Sequence, residues 1–84
     1  MVLFYASWCY HCKVFMPIYE EIANSFEDLS VDFYKGDSEL YPSYIETFGL
    51  EGFPTILLFV NQKPIEYKGK RTFEDVKSWI KSNI

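Results

Sequence analysis

The chain opens with a continuous apolar run, Val2-Leu3-Phe4-Tyr5-Ala6, which ends at Ser7-Trp8-Cys9 and suits a buried strand feeding a turn. From Phe15 the apolar positions are Phe15, Ile18, Tyr19, Ile22, Ala23 and Phe26, at offsets 0, 3, 4, 7, 8 and 11, which make one face of a helix. Pro17 falls inside that stripe, where a kink is expected. Val31 to Lys35 alternates with period two and predicts a second strand, broken by Gly36-Asp37-Ser38. A shorter helix follows to Phe48, stopped by Gly49. Thr55 to Val60 is nearly all apolar and predicts a central strand. Asn61-Gln62-Lys63-Pro64 turns the chain into Ile65–Lys68, expected at a sheet edge because Pro64 is tolerated there. Thr72 caps a last helix, with Asp75 three residues on and Phe73, Val76, Ile80 and Ile84 facing inward.

The order is βαβαββα. A βαβ unit gives parallel strands and the final hairpin an antiparallel pair. The expected fold class is therefore α/β, a mixed four-stranded sheet with helices on both faces. With 84 residues the chain is one domain, residues 1–84, without repeats or linkers.

Composition narrows the function classes. A chain of this size buries only about 64% of its unfolded surface, but 49% apolar and 20% aromatic residues compensate and exclude disorder. Two cysteines cannot frame a disulfide scaffold. Neither Val2 to Ala6 nor Ile56 to Val60 is an apolar run long enough to cross a bilayer, and no signal-peptide pattern opens the chain. A net charge of −4 argues against nucleic acid as a partner. Residues 20–51 hold nine acids against one base, Lys35, and residues 52–84 hold six bases against three acids. Two solvated faces of opposite sign account for this, as would steering of a charged partner.

Both cysteines stand in Cys9-Tyr10-His11-Cys12, between the first strand and the first helix. A thiolate at Cys9 would face the free N–H groups and the positive dipole end of that helix, and both favour the anion. Cys12, one turn in, should be more buried, less acidic and placed to attack a mixed disulfide at Cys9. Such an exposed nucleophile with a resolving thiol is what thiol–disulfide exchange requires. A zinc site wants four ligands, and one histidine with two cysteines falls short, so no metal or other cofactor is expected. Covalent haem attachment needs His after the second cysteine, where Lys13 stands. A structural staple closing so short a loop would stabilise little. His11 is either an exposed loop residue or, partly protonated, a stabiliser of the Cys9 thiolate that makes the disulfide more oxidising.

At these residues the sequence resembles the thioredoxin superfamily, specifically the catalytic domains of protein disulfide isomerases, from Val2 to about Lys81. Phe4-Tyr5-Ala6-Ser7-Trp8-Cys9 resembles the strand entering that family's active site, and His11-Cys12-Lys13 the end of its Cys-Gly-His-Cys-Lys motif. Gly52-Phe53-Pro54-Thr55 resembles the segment with the family's cis-proline, which implies a cis Phe53–Pro54 bond presenting backbone to substrate. Tyr67-Lys68-Gly69-Lys70-Arg71-Thr72 resembles a stretch whose arginine modulates the resolving cysteine; otherwise Arg71 is a solvated residue before a helix cap. Trp8 is either core or, with Tyr10 and Phe53, part of an aromatic rim that docks substrate.

Three departures mark this chain off. Tyr10 replaces the family's Gly. Leu3 occupies the position of a buried carboxylate that shuttles the resolving cysteine's proton, leaving its partner Lys35 without an acid and Cys12's proton to water or Lys35. The family's opening strand and helix are missing. The order matches the smaller glutaredoxin-like version of the fold, without the Cys-Pro-Tyr-Cys and Thr-Val-Pro signatures of glutathione binding.

The resemblance implies a monomeric thiol–disulfide oxidoreductase acting on protein thiols or disulfides, with a reductase or oxidase partner. Cys9 is the nucleophile, Cys12 resolves and His11 tunes. Trp8, Tyr10, Phe53 and Pro54 bind substrate, and Lys35 and Arg71 modulate. Alternatives are a thioredoxin-like reductase and a binding module whose cysteines idle. The compartment is cytoplasmic if the chain is complete and an oxidising lumen if it belongs to a longer isomerase.

Overall fold

The apolar run after Met1 forms β1 (Val2–Tyr5), and the helical stripe becomes α1 (Tyr10–Ser25) in a computed structural model that describes residues 1–26 and 30–84. The remaining elements are β2 (Tyr34–Asp37), α2 (Ser43–Phe48), β3 (Thr55–Val60), β4 (Lys63–Glu66) and α3 (Phe73–Ser82). The expected βαβαββα order holds. The strands make one sheet in the order β2-β1-β3-β4, with β1 parallel to β2 and the other neighbours antiparallel.

Strand alternation sorts the core onto two faces. Leu3, Ile56 and Leu58 point to the side covered by α1 and α3, where they meet Phe15, Tyr19, Ile22, Val76 and Ile80. Phe4 and Leu57 point to the other side and meet Leu50, with Tyr44 of α2 and Phe53 packed around them. Tyr19 carries its hydroxyl into the first layer. There it donates toward the carbonyls of Tyr34 at 2.8 Å and Met1 at 3.1 Å, and so ties α1 to the sheet. Pro17 lies inside α1, and Gly49 ends α2 in the left-handed region at φ 63°.

Three expectations are corrected. The second strand is Tyr34–Asp37 rather than Val31–Lys35, so Gly36 and Asp37 lie within it. The reason is close approach: Phe4 is the register partner of Gly36, and a Cβ there would stand 2.8 Å from the Phe4 ring. The glycine makes room in a strand instead of breaking it. The edge strand begins at Lys63 rather than Ile65, because Asn61 and Gln62, at φ 52° and 67°, make a two-residue hairpin turn that lets pairing resume at once. Pro64 then sits opposite Phe59 on an edge strand, as its missing N–H requires. Ile84 is 59% exposed because α3 ends at Ser82. Trp79 supplies the extra contact instead, edge-on to Tyr67 at 5.2 Å.

Candidate active site

The two cysteines sit where β1 hands the chain to α1. A turn closed by Cys9 N–H donating to the Ala6 carbonyl at 3.1 Å brings Cys9 to the N-cap position of α1. Its Sγ accepts the Cys12 backbone N–H at 3.2 Å, satisfying one of the helix's free donors. Both cysteines carry free thiols.

Cys9 is not the freely exposed thiol expected from position alone. It is 6% exposed, against 1% for Cys12, and Ala6, Tyr5 and Phe53 pack around the pair. Cys12 is the more buried thiol, as expected, and its acidity is suppressed. Burial, reinforced by its hydrogen bond with Cys9, pushes it from an ordinary 9.0 up to about 11, while the Ala6 backbone and the charge of Arg71 pull the other way.

The Phe53–Pro54 bond is cis, and Phe53 packs against the cysteine cluster. Thr55 anchors this loop by donating its hydroxyl to the Gly52 carbonyl at 2.6 Å. Trp8 stands edge-on to Phe53 at 5.9 Å and is 70% exposed, so the two form a rim and Trp8 is not core. Tyr10, equally open to solvent, packs edge-on against the exposed ring of His11 at 5.8 Å rather than joining Trp8 and Phe53. Arg71 acts on Cys12 by its charge, and it follows a loop that the Tyr67 hydroxyl fastens by donating to the Lys70 carbonyl.

Lys35 is placed differently from expectation. Leu3 is fully buried in the α1–α3 layer, and among the described residues no carboxylate joins that layer. Lys35, however, does find an acid: its Nζ stands 2.9 Å from Glu20 Oε1 on the surface of α1. That pairing gives Lys35 a carboxylate partner at the surface, where Leu3 supplies none. A pocket of about 400 Å³ runs beside Cys12, lined by Tyr5, Ala6, Met16 and Pro17 with Lys13 and Glu20 among its charged residues. A second, of about 540 Å³, adjoins Phe53 and Pro54 and carries Glu51, Glu66 and Lys68.

Two contributors escaped the sequence reading. Ala6 looked like the end of a strand but walls the dithiol. Glu39 looked like one of many surface acids, yet its carboxylate accepts from Ser7, two residues before Cys9. Only Ala6 had a local signal, its place just before the turn.

The family model described as Thioredoxin matches residues 1–82. The chain is 42% identical over 86 residues to a protein disulfide-isomerase of Aspergillus oryzae, covering 95% of this chain and 16% of that protein. It is 36% identical over 84 residues to the protein disulfide-isomerase erp38 of Neurospora crassa, covering 95% of this chain and 23% of that one. This chain therefore spans less than a quarter of the length of these curated relatives. Among solved structures, the first thioredoxin domain of mouse protein disulfide-isomerase A4 superposes with a TM-score of 0.81 at 32% identity, over 96% of this chain and 59% of that one. Human ERp44 superposes with a TM-score of 0.89 at 27% identity, over 96% and 26% of the two chains.

Proposed function

The chain belongs to the thioredoxin family, as a domain of the protein disulfide isomerase type, and we propose that its dithiol exchanges disulfides with protein cysteines. The observation that carries the proposal is the asymmetry of the thiols: Cys9 Sγ caps α1 beside Phe53, while Cys12 lies one turn deeper with its acidity suppressed. In the reducing direction the Cys9 thiolate attacks a substrate disulfide, forming a mixed disulfide and releasing one substrate thiolate. Cys12, once deprotonated, attacks Cys9 Sγ; the second substrate thiolate leaves and the Cys9–Cys12 disulfide remains. The substrate gains two electrons and the dithiol loses them. The reverse sequence forms a disulfide in the substrate. Water in the pocket beside Cys12 is the acceptor for its proton, since Lys35 is engaged by Glu20.

Trp8 and Phe53 dock an extended polypeptide, with Pro54 presenting backbone and Tyr10 bordering the approach. His11 tunes the thiolate by its charge, and Arg71 eases deprotonation of Cys12. With a histidine two residues after the nucleophile in the chain, the potential is expected nearer the isomerases' about −180 mV than thioredoxin's about −270 mV, which suits an oxidising compartment and an oxidase as partner.

Equilibration with glutathione redox buffers tests the potential; a value at or below thioredoxin's would shift the reading to a reductase fed by a reductase partner. A Cys12→Ala variant should accumulate mixed disulfides with unfolded, disulfide-bonded protein at Cys9. If it traps none, the cysteines are idle and the domain is a binding module.

A further inference from the structure

Glu39 reaches from the loop after β2 to the loop that carries the dithiol. Its Oε1 accepts two hydrogen bonds from Ser7, one from the backbone N–H at 2.7 Å and one from the hydroxyl. The two residues stand 32 apart in sequence and meet because β1 and β2 run parallel, so the loops leaving their C-terminal ends are neighbours. Glu39 is itself held in place. Asp37 Oδ1 accepts the N–H groups of Glu39 at 2.9 Å and Leu40 at 3.2 Å, and Ser38 N–H donates to the Tyr5 carbonyl at 2.9 Å.

The segment that these bonds fix has little apolar burial to fix it. Ser7 and Trp8 are both exposed, and the ring contact of Trp8 among the described residues is its edge-on approach to Phe53. Where apolar burial supplies little, a carboxylate shared by two donors is a strong local tie, because a charged acceptor makes a bond roughly twice as strong as a neutral one. Ser7 is also the second residue of the turn that Cys9 N–H closes on Ala6.

We propose that Glu39 is a positioning residue for substrate recognition: through Ser7 it holds Trp8 against Phe53, so that the aromatic rim is ordered before a polypeptide arrives. This rests on the exchange reaction proposed above, in which Trp8 and Phe53 dock the substrate. A free protein lacking the clamp must order Trp8 at the moment of binding. That cost appears in KM for substrates large enough to use the rim, and not in the chemistry at Cys9.

The test compares reduced wild type with Glu39→Ala on two substrates, an unfolded disulfide-bonded protein and glutathione disulfide, which has neither an extended polypeptide nor large apolar side chains for the rim to hold. Glu39→Ala should raise KM for the protein about twofold to tenfold, with kcat and the glutathione disulfide rate little changed. Glu39→Gln keeps an acceptor oxygen and should recover most of the loss. In a Trp8→Ala background Glu39→Ala should have no further effect on KM. With Trp79→Phe, Trp8 is the single tryptophan, and its fluorescence anisotropy should fall when Glu39 is replaced. Equal slowing of both substrates, an undiminished effect without Trp8, or an unchanged Trp8 anisotropy would each overturn the assignment. A wild type that exchanges with neither substrate defeats the underlying reaction instead, and the anisotropy result still judges the clamp.

Discussion

The Cys12 backbone N–H donates to the Cys9 sulfur at 3.2 Å, so the nucleophilic sulfur is itself the cap of the helix behind it. Structure and chemistry are therefore separable at this position by choice of side chain. Cys9→Ser keeps an N-cap acceptor, and serine is among the best caps, whereas Cys9→Ala removes it. Under reducing conditions Cys9→Ser should be about 1 kcal/mol more stable to urea than Cys9→Ala, although both lose exchange activity. Equal urea midpoints would show that the sulfur caps nothing.

Cys12 gives a pH dependence with a definite sign. Its thiol is raised to about 11 in the folded protein from an ordinary 9.0, with burial the leading cause. Between these values the unfolded chain has lost the proton that the folded chain still holds, so the reduced protein should lose stability as pH rises from 9 to 11. Burial also pushes Tyr19 upward, which adds loss of the same sign at higher pH. Urea titrations across this range should show a shallower decline for Cys12→Ser than for wild type. In kinetics, resolution of a Cys9 mixed disulfide should accelerate about tenfold per pH unit above neutrality, which stopped-flow mixing measures directly.

Arg71 favours the Cys12 thiolate by charge alone. Arg71→Gln should push the thiol further up and slow resolution at pH 7 by about twofold to threefold, a modest effect because an exposed charge is screened. Arg71→Lys should restore the rate, and the difference between wild type and Arg71→Gln should shrink in high salt. An undiminished difference in 1 M salt would point to a structural role for Arg71.

Gly36 is a steric prediction. A methyl group there meets the Phe4 ring at 2.8 Å and Tyr44 at 3.3 Å, and Phe4 is buried. Gly36→Ala should cost about 1–3 kcal/mol of stability, the usual range for overpacking. Thermal unfolding decides it; an unchanged midpoint would mean that the Phe4 layer can yield.

The elements were legible where one local signal governed them. Thr55–Val60 is a strand from end to end because six successive residues are compatible with burial on a sheet, and Thr72 caps α3 because its hydroxyl accepts Asp75 N–H within the same turn. Where two local signals competed, a tertiary contact chose. Gly36-Asp37 reads as a break in isolation but belongs to β2, because the Phe4 ring needs a partner without a Cβ. Ile84 reads as a core position from its spacing, but the helix stops before it can be one.

The site divides in the same way. Spacing and position sufficed for the dithiol: a cysteine pair one turn apart at a strand-to-helix junction has a single helix N-terminus to face, so the ordering of Cys9 before Cys12 and the greater burial of Cys12 follow from local geometry. The surroundings did not follow. That Phe53 packs against the cysteine cluster, that Lys35 pairs with Glu20, and that Glu39 holds Ser7 all depend on which strands become neighbours. Those contacts join residues 15 or more positions apart. A chain of residues records its own periodicity, but the partner of an exposed carboxylate is set only when the parallel pairing of β1 and β2 brings their loops together.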